Sequence, residues 1–118
     1  MKIYTPEKLL GPLNDVEAQN SPKELFVAGD VSLLDGPPRV AVIGTRHPSD
    51  KGATRAARLA SELVKSKAIV VSGLAEGIDT IAHRTAIEKG GRTIAVLGTP
   101  LDKVYPKKNY DQIGRAHV

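Results

Sequence analysis

Three short apolar runs, each closing on a small residue or glycine, constrain this chain more than any other feature. Val40-Ala41-Val42-Ile43 closes on Gly44, Ala68-Ile69-Val70-Val71 on Ser72-Gly73, and Thr93-Ile94-Ala95-Val96-Leu97 on Gly98. Unbroken apolar runs of this length mark strands buried on both faces, as in parallel sheets. The gaps carry helical spacing. In the first, Ala53, Ala56, Ala57, Ala60, Leu63 and Val64 recur at i, i+3 and i+4, with Arg55, Arg58, Glu62 and Lys65 on the opposite side. In the second, Ile78, Ile81, Ala82, Thr85 and Ala86 form a stripe ending at Gly90-Gly91. Strand and helix in alternation predict right-handed βαβ crossovers and an α/β, three-layer Rossmann-like fold with a mainly parallel sheet. The alanine-rich helix face suits it, because small side chains let a helix lie close to a sheet.

Gly36-Pro37-Pro38 breaks the pattern upstream, since two prolines fix φ and remove two donors. Residues 1–38 are predicted to form an extension that packs on the core, and 39–118 a phosphate- or DNA-binding domain. Within the extension, Thr5-Pro6-Glu7 starts a short helix carrying Leu9 and Leu10. Leu25-Phe26-Val27-Ala28 forms a strand, with Phe26 directed to a core.

The chain has 118 residues, 41% of them hydrophobic and 25% charged, an ordinary globular mixture. It contains no cysteine, which excludes disulfides, thiolate metal sites and a Cys nucleophile. No apolar run approaches a membrane span, and none follows Met1-Lys2-Ile3-Tyr4, so the chain reads as cytoplasmic, with no membrane partner. The formal charge of +4 is unevenly divided: residues 1–38 hold three Lys against six acids, and the remainder fourteen Lys and Arg against seven. A region this basic attracts polyanions without specifying which.

In parallel sheets of this type, ligands bind beyond the carboxyl ends of the strands. Three loops meet there. The first supplies Gly44, Thr45, Arg46, Ser49, Lys51 and Gly52; the second Ser72, Gly73, Ala75, Gly77, Ile78 and Asp79; the third starts at Gly98. Glycines at strand ends let backbone N–H groups approach an anion, and an arginine fork suits phosphate. Glycine is also an ordinary turn residue, which accounts for any one loop but less well for all three. A dinucleotide G-x-G-x-x-G is absent, because Gly44 is followed by no glycine until Gly52; a P-loop Gly-Lys-Ser/Thr does not occur either.

Asp79 and His83 stand at i and i+4 in the second helix, and Ser72 ends the strand before it. A Ser-His-Asp hydrolase needs those three residue types. The simpler reading is structural: Asp79 satisfies N–H groups of the first turn, and His83 bonds to Asp79 or the adjoining loop. His47 and His117 show no metal-ligand spacing, and no cofactor or metal is implied. Aromatics amount to Tyr4, Phe26, Tyr105 and Tyr110, with Tyr105 read as a packing residue, so a nucleic acid would meet mainly phosphate contacts.

Read together, Val40-Ala41-Val42-Ile43-Gly44-Thr45-Arg46, Val71-Ser72-Gly73-Leu74-Ala75-Glu76-Gly77-Ile78-Asp79 with His83, and Gly91-Arg92-Thr93-Ile94-Ala95-Val96-Leu97-Gly98 closely resemble the DNA processing protein A family (DprA, or Smf). Leu101-Asp102-Lys103-Val104-Tyr105-Pro106-Lys107-Lys108-Asn109 is similar to that family's next block, which makes Tyr105 and Asn109 supporting residues beside His83. The resemblance covers about residues 22–110. It implies single-stranded DNA binding without catalysis, in a recombination mediator of natural transformation (competence) that passes DNA to RecA. Arg46 matches the arginine that grips a DNA phosphate, and residues 72–79 match the loop whose glycines shape the same basic pocket.

The family's fold continues beyond this point, so the chain reads as the N-terminal part of the domain, a fragment or a minimal version. It lacks the family's later aromatic block, which predicts weak, salt-sensitive, nearly sequence-blind binding. An unpaired sheet edge favours self-association. The competing reading is a nucleotide-binding module of the SLOG/LOG kind, or an enzyme acting on a small nucleotide. Against the latter, Gly90-Gly91-Arg92-Thr93 departs from the Pro-Gly-Gly-x-Gly-Thr-x-x-Glu loop of nucleoside-monophosphate phosphoribohydrolases and precedes a strand.

Overall fold

A computed structural model describes residues 2–98. The chain divides into two compact units, Met1–Gly36 and Pro37–Val118.

The first unit pairs β1 (Lys2–Tyr4) antiparallel with β2 (Leu25–Val27), in the register Lys2↔Val27, Ile3↔Phe26 and Tyr4↔Leu25. Between them lie α1 (Pro6–Leu10) and α2 (Asp15–Asn20). Thr5 caps α1 by accepting from the Lys8 N–H, and proline opens the helix, where its missing donor costs nothing. Asn14 and Glu17 form a reciprocal capping box on α2, at 2.8 and 3.0 Å. A 3₁₀ turn, Val31–Leu34, follows and buries Leu33. Phe26 departs from expectation. It is 56% exposed, because a strand in a two-stranded ribbon has little against which to bury it.

In the second unit, β3 (Arg39–Ala41), β4 (Ile69–Ser72) and β5 (Thr93–Ala95) form a parallel sheet in the order β3-β4-β5. The Val42 N–H continues the β3 ladder onto the Val71 carbonyl at 2.9 Å, and the Val96 N–H continues β5 onto Ser72 at 3.0 Å. The crossovers are α3 (Asp50–Lys65) and α4 (Ile78–Glu88). They pack on each other and both touch β4, so they share one face of the sheet.

The register explains the packing. Val40, Val70 and Thr93 align across the strands, and Val70 joins Val42, Ala60, Ala82 and Ala86 in a buried cluster flanked by Leu63, Val64 and Ile78. Ala60, Ala82 and Ala86 are fully buried, which lets the helices lie close together and close to the strands. Larger residues there would overpack the layer at about 1–3 kcal/mol each. The opposite face carries Ala41, Val71 and Ile94.

The α/β architecture with a parallel sheet is thus the one the apolar runs predict. No helix among the described residues is long and apolar enough to cross a membrane.

Candidate functional site

Two loops at the carboxyl end of the sheet are locked together by their backbones. Gly77, with φ 79° and ψ −127°, precedes α4 and lies against the main chain of Thr45 and Arg46. A Cβ there would sit 2.3 Å from the Thr45 oxygen and 2.6 Å from the Arg46 carbonyl carbon and oxygen. The Ile78 N–H donates to the Thr45 carbonyl at 3.1 Å, and the Ile78 side chain covers Gly44, where a Cβ would come within 2.7 Å of it. These two glycines therefore allow loop-on-loop packing. The expectation was that they bring amides to an anion, and the Ile78 amide is engaged within the chain.

These loops and the residues after β5 border an open cavity of about 440 Å³. Arg46, Gly73, Ala75, Asp79 and Gly98 line it, as read from the sequence. His47, Leu74, Glu76, Val96 and Leu97 complete the wall; the sequence reading had not assigned them to a site. Arg46 is exposed and makes no ion pair among the described residues, so its guanidinium is available.

The remaining loop residues have other roles. Ser49 caps α3 by accepting from the Gly52 N–H at 3.1 Å. Thr45 Oγ1 accepts from the His47 N–H at 3.1 Å. Ser72 is buried, and its hydroxyl donates to the Val42 carbonyl at 2.5 Å, tying β4 to β3. Lys51 lies outside the cavity, on the exposed side of α3 with Arg55 and Arg58. Ser49 and Ser72 were expected to contact phosphate; here their hydroxyls serve the fold. Tyr105, Asn109 and the third loop beyond Gly98 lie outside the described residues.

His83 is completely buried within the core of α4. Its Nε2 pairs with the Gly73 carbonyl at 2.6 Å and its Nδ1 with Thr93 Oγ1. A carbonyl only accepts, so Nε2 carries a proton. The ring thereby fastens the β4–α4 loop to β5, and both nitrogens are engaged. Asp79 stands one turn away without bonding to it. The Oδ1 of Asp79 is buried with no hydrogen-bond partner among the described residues, so this oxygen does not cap the helix as expected. The pocket expected to be basic is of mixed charge: Glu76 and Asp79 line it together with Arg46 and His47. The described residues contain no cluster of three or more His or acidic side chains able to hold a metal ion.

A family model described as DNA recombination-mediator protein A matches residues 4–117. The chain belongs to this family. It is 45% identical over 105 residues to the DNA processing protein DprA of Streptococcus pneumoniae, covering 86% of this chain and 36% of that protein. Protein Smf of Synechocystis is 50% identical over 72 residues, 61% of this chain and 18% of that protein. The chain thus spans about a third or less of these curated relatives. The X-ray structure of DprA from S. pneumoniae superposes with a TM-score of 0.82 at 38% identity, covering 98% of this chain and 40% of that one. DprA from Helicobacter pylori gives 0.76 at 38% identity, covering 99% and 52%; its structure concerns a single-stranded DNA binding mode.

Proposed function

We propose that this protein binds single-stranded DNA through backbone phosphates, without catalysis, as part of a recombination mediator that passes DNA to RecA in natural transformation. The observation that carries the reading is Arg46: an exposed guanidinium with no ion pair among the described residues, on the wall of a cavity at the strand ends, in a chain of the DprA family. Lys51, Arg55 and Arg58 share the exposed side of α3 and add a positive field outside the cavity. The described lining offers no Phe, Tyr or Trp side chain for base stacking, only the smaller ring of His47, so phosphate contacts dominate. Single-stranded DNA binding in the H. pylori relative points the same way.

Fluorescence anisotropy with labelled oligo-dT tests this. With about three phosphate contacts, affinity falls roughly tenfold or more between about 50 and 200 mM salt. Tight, salt-insensitive binding contradicts the reading, as does no binding at low salt. Self-association along an exposed edge of the sheet belongs to the same proposal, and sedimentation showing a monomer at high concentration counts against it.

A further inference from the structure

The exposed side of α3 carries charge of one sign over its first half. Lys51, Arg55 and Arg58 are exposed and stand at i, i+4 and i+7, a spacing that aligns them along one stripe of the helix. None of them forms an ion pair among the described residues. Glu62 and Lys65 continue the same stripe and pair with each other at 3.4 Å, so the unneutralised stretch ends there. A helix face that is merely solvated carries both signs in such i, i+3 or i+4 pairs. Helix stability does not account for Lys51 either, because a cation in the first turn opposes the macrodipole. Asp50, in the same turn, lies ~100° round the helix from Lys51 and so off the stripe.

We propose that Lys51, Arg55 and Arg58 form a phosphate track outside the cavity, along which the single strand held at Arg46 continues down the flank of α3. This rests on the phosphate reading above and extends it from one pocket to a path. The β3–α3 loop carries Arg46 on the cavity wall and leads directly into α3, so the track starts beside the cavity mouth. At a rise of ~1.5 Å per residue, the three cations stand about 6 and about 4.5 Å apart along the axis, and their long side chains reach successive phosphates of an extended strand. The positive end of the helix dipole adds to the field at Lys51. Contacts of this kind fix the course of the strand and read no base.

The test compares two triple variants of equal net charge. The track variant combines Lys51→Gln, Arg55→Gln and Arg58→Gln; the control combines Lys67→Gln, Arg84→Gln and Lys89→Gln, exposed cations that lie off the stripe. Oligo-dT of about twelve nucleotides is titrated by anisotropy across a salt series. In the track variant, affinity falls by roughly tenfold or more at low salt, and the slope of log K against log salt becomes shallower by about 2, or ~0.7 for each lost contact. The control keeps a slope within about 0.5 of wild type. Both variants melt close to wild type, since every substituted side chain is exposed. Titration at saturating protein gives one strand per protein.

Equal losses in the two variants reduce the track to net charge and overturn the inference. A wild-type slope in the track variant also overturns it, and weakening by Arg46→Ala then leaves the phosphate reading standing. Two strands per protein separate the stripe from Arg46 and overturn the continuous path. A loss confined to duplex DNA of the same length assigns the stripe to a double helix, which overturns it as well. Failure of wild type to bind oligo-dT overturns both readings.

Discussion

Replacing Gly77 by alanine should disable the site through the backbone, without touching a ligand-contacting side chain. Two costs add. The conformation φ 79°, ψ −127° is one that glycine adopts readily and alanine does not, worth about 1–3 kcal/mol. The new Cβ then meets main-chain atoms of Thr45 and Arg46 at 2.3–2.6 Å, and no rotamer change relieves contact with a backbone. Relief requires the β3–α3 loop to move, carrying Arg46 with it. A total of about 3 kcal/mol or more is expected.

Gly90 provides the control. Its φ of 76° is nearly the same, but a Cβ there meets nothing within 4 Å, so Gly90→Ala carries the left-handed penalty alone, about 1 kcal/mol. Urea denaturation gives the two stabilities, and anisotropy with oligo-dT gives the two affinities. Gly77→Ala should be the less stable by about 2 kcal/mol and bind more weakly even under conditions where it is folded. Gly90→Ala should bind as wild type does. Equal stability and equal affinity for the two variants would refute the claim that loop-on-loop packing sets the position of Arg46.

Two further substitutions separate fold from site. Ser49→Ala removes the α3 cap and should cost about 1 kcal/mol by denaturation, while oligo-dT affinity stays within about twofold, as a capping residue predicts and a phosphate ligand does not. His83→Ala opens a buried hole and strands the Gly73 carbonyl and the Thr93 hydroxyl. It should destabilise by about 3 kcal/mol or more, with a loss under about 1 kcal/mol counting against its role as the fastener of the β4–α4 loop.

The strands and helices were legible because unbroken apolar runs and 3.6-residue spacing leave direct marks in the sequence, although burial of the strands on both faces is not seen among the described residues: α3 and α4 share one face, and Ala41 on the other is exposed. The ends of these elements were less legible. Val42 and Ile43 belong to one apolar run, yet the ladder ends with the buried Val42, and Ile43 is 76% exposed. Arg46, Gly73, Ala75, Asp79 and Gly98 could be placed at the cavity because the topology puts those loops at one end of the sheet. The destinations of hydroxyls could not be read. Ser72 bonds to Val42, thirty positions away in sequence, and only the finished sheet brings them together. Gly44 and Gly77 were legible as special, but that each admits a neighbouring loop shows only in the fold. Glu76 escaped notice because an acid in a loop resembles any solvated charge until the fold shows which wall it occupies.

Arg46→Ala, titrated with oligo-dT across a salt series, tests the central claim most directly. If the guanidinium grips a backbone phosphate, affinity falls by about tenfold at low salt and the slope of log K against log salt becomes shallower by about 0.7. A variant with wild-type affinity and wild-type slope would contradict the account, whatever else the cavity binds.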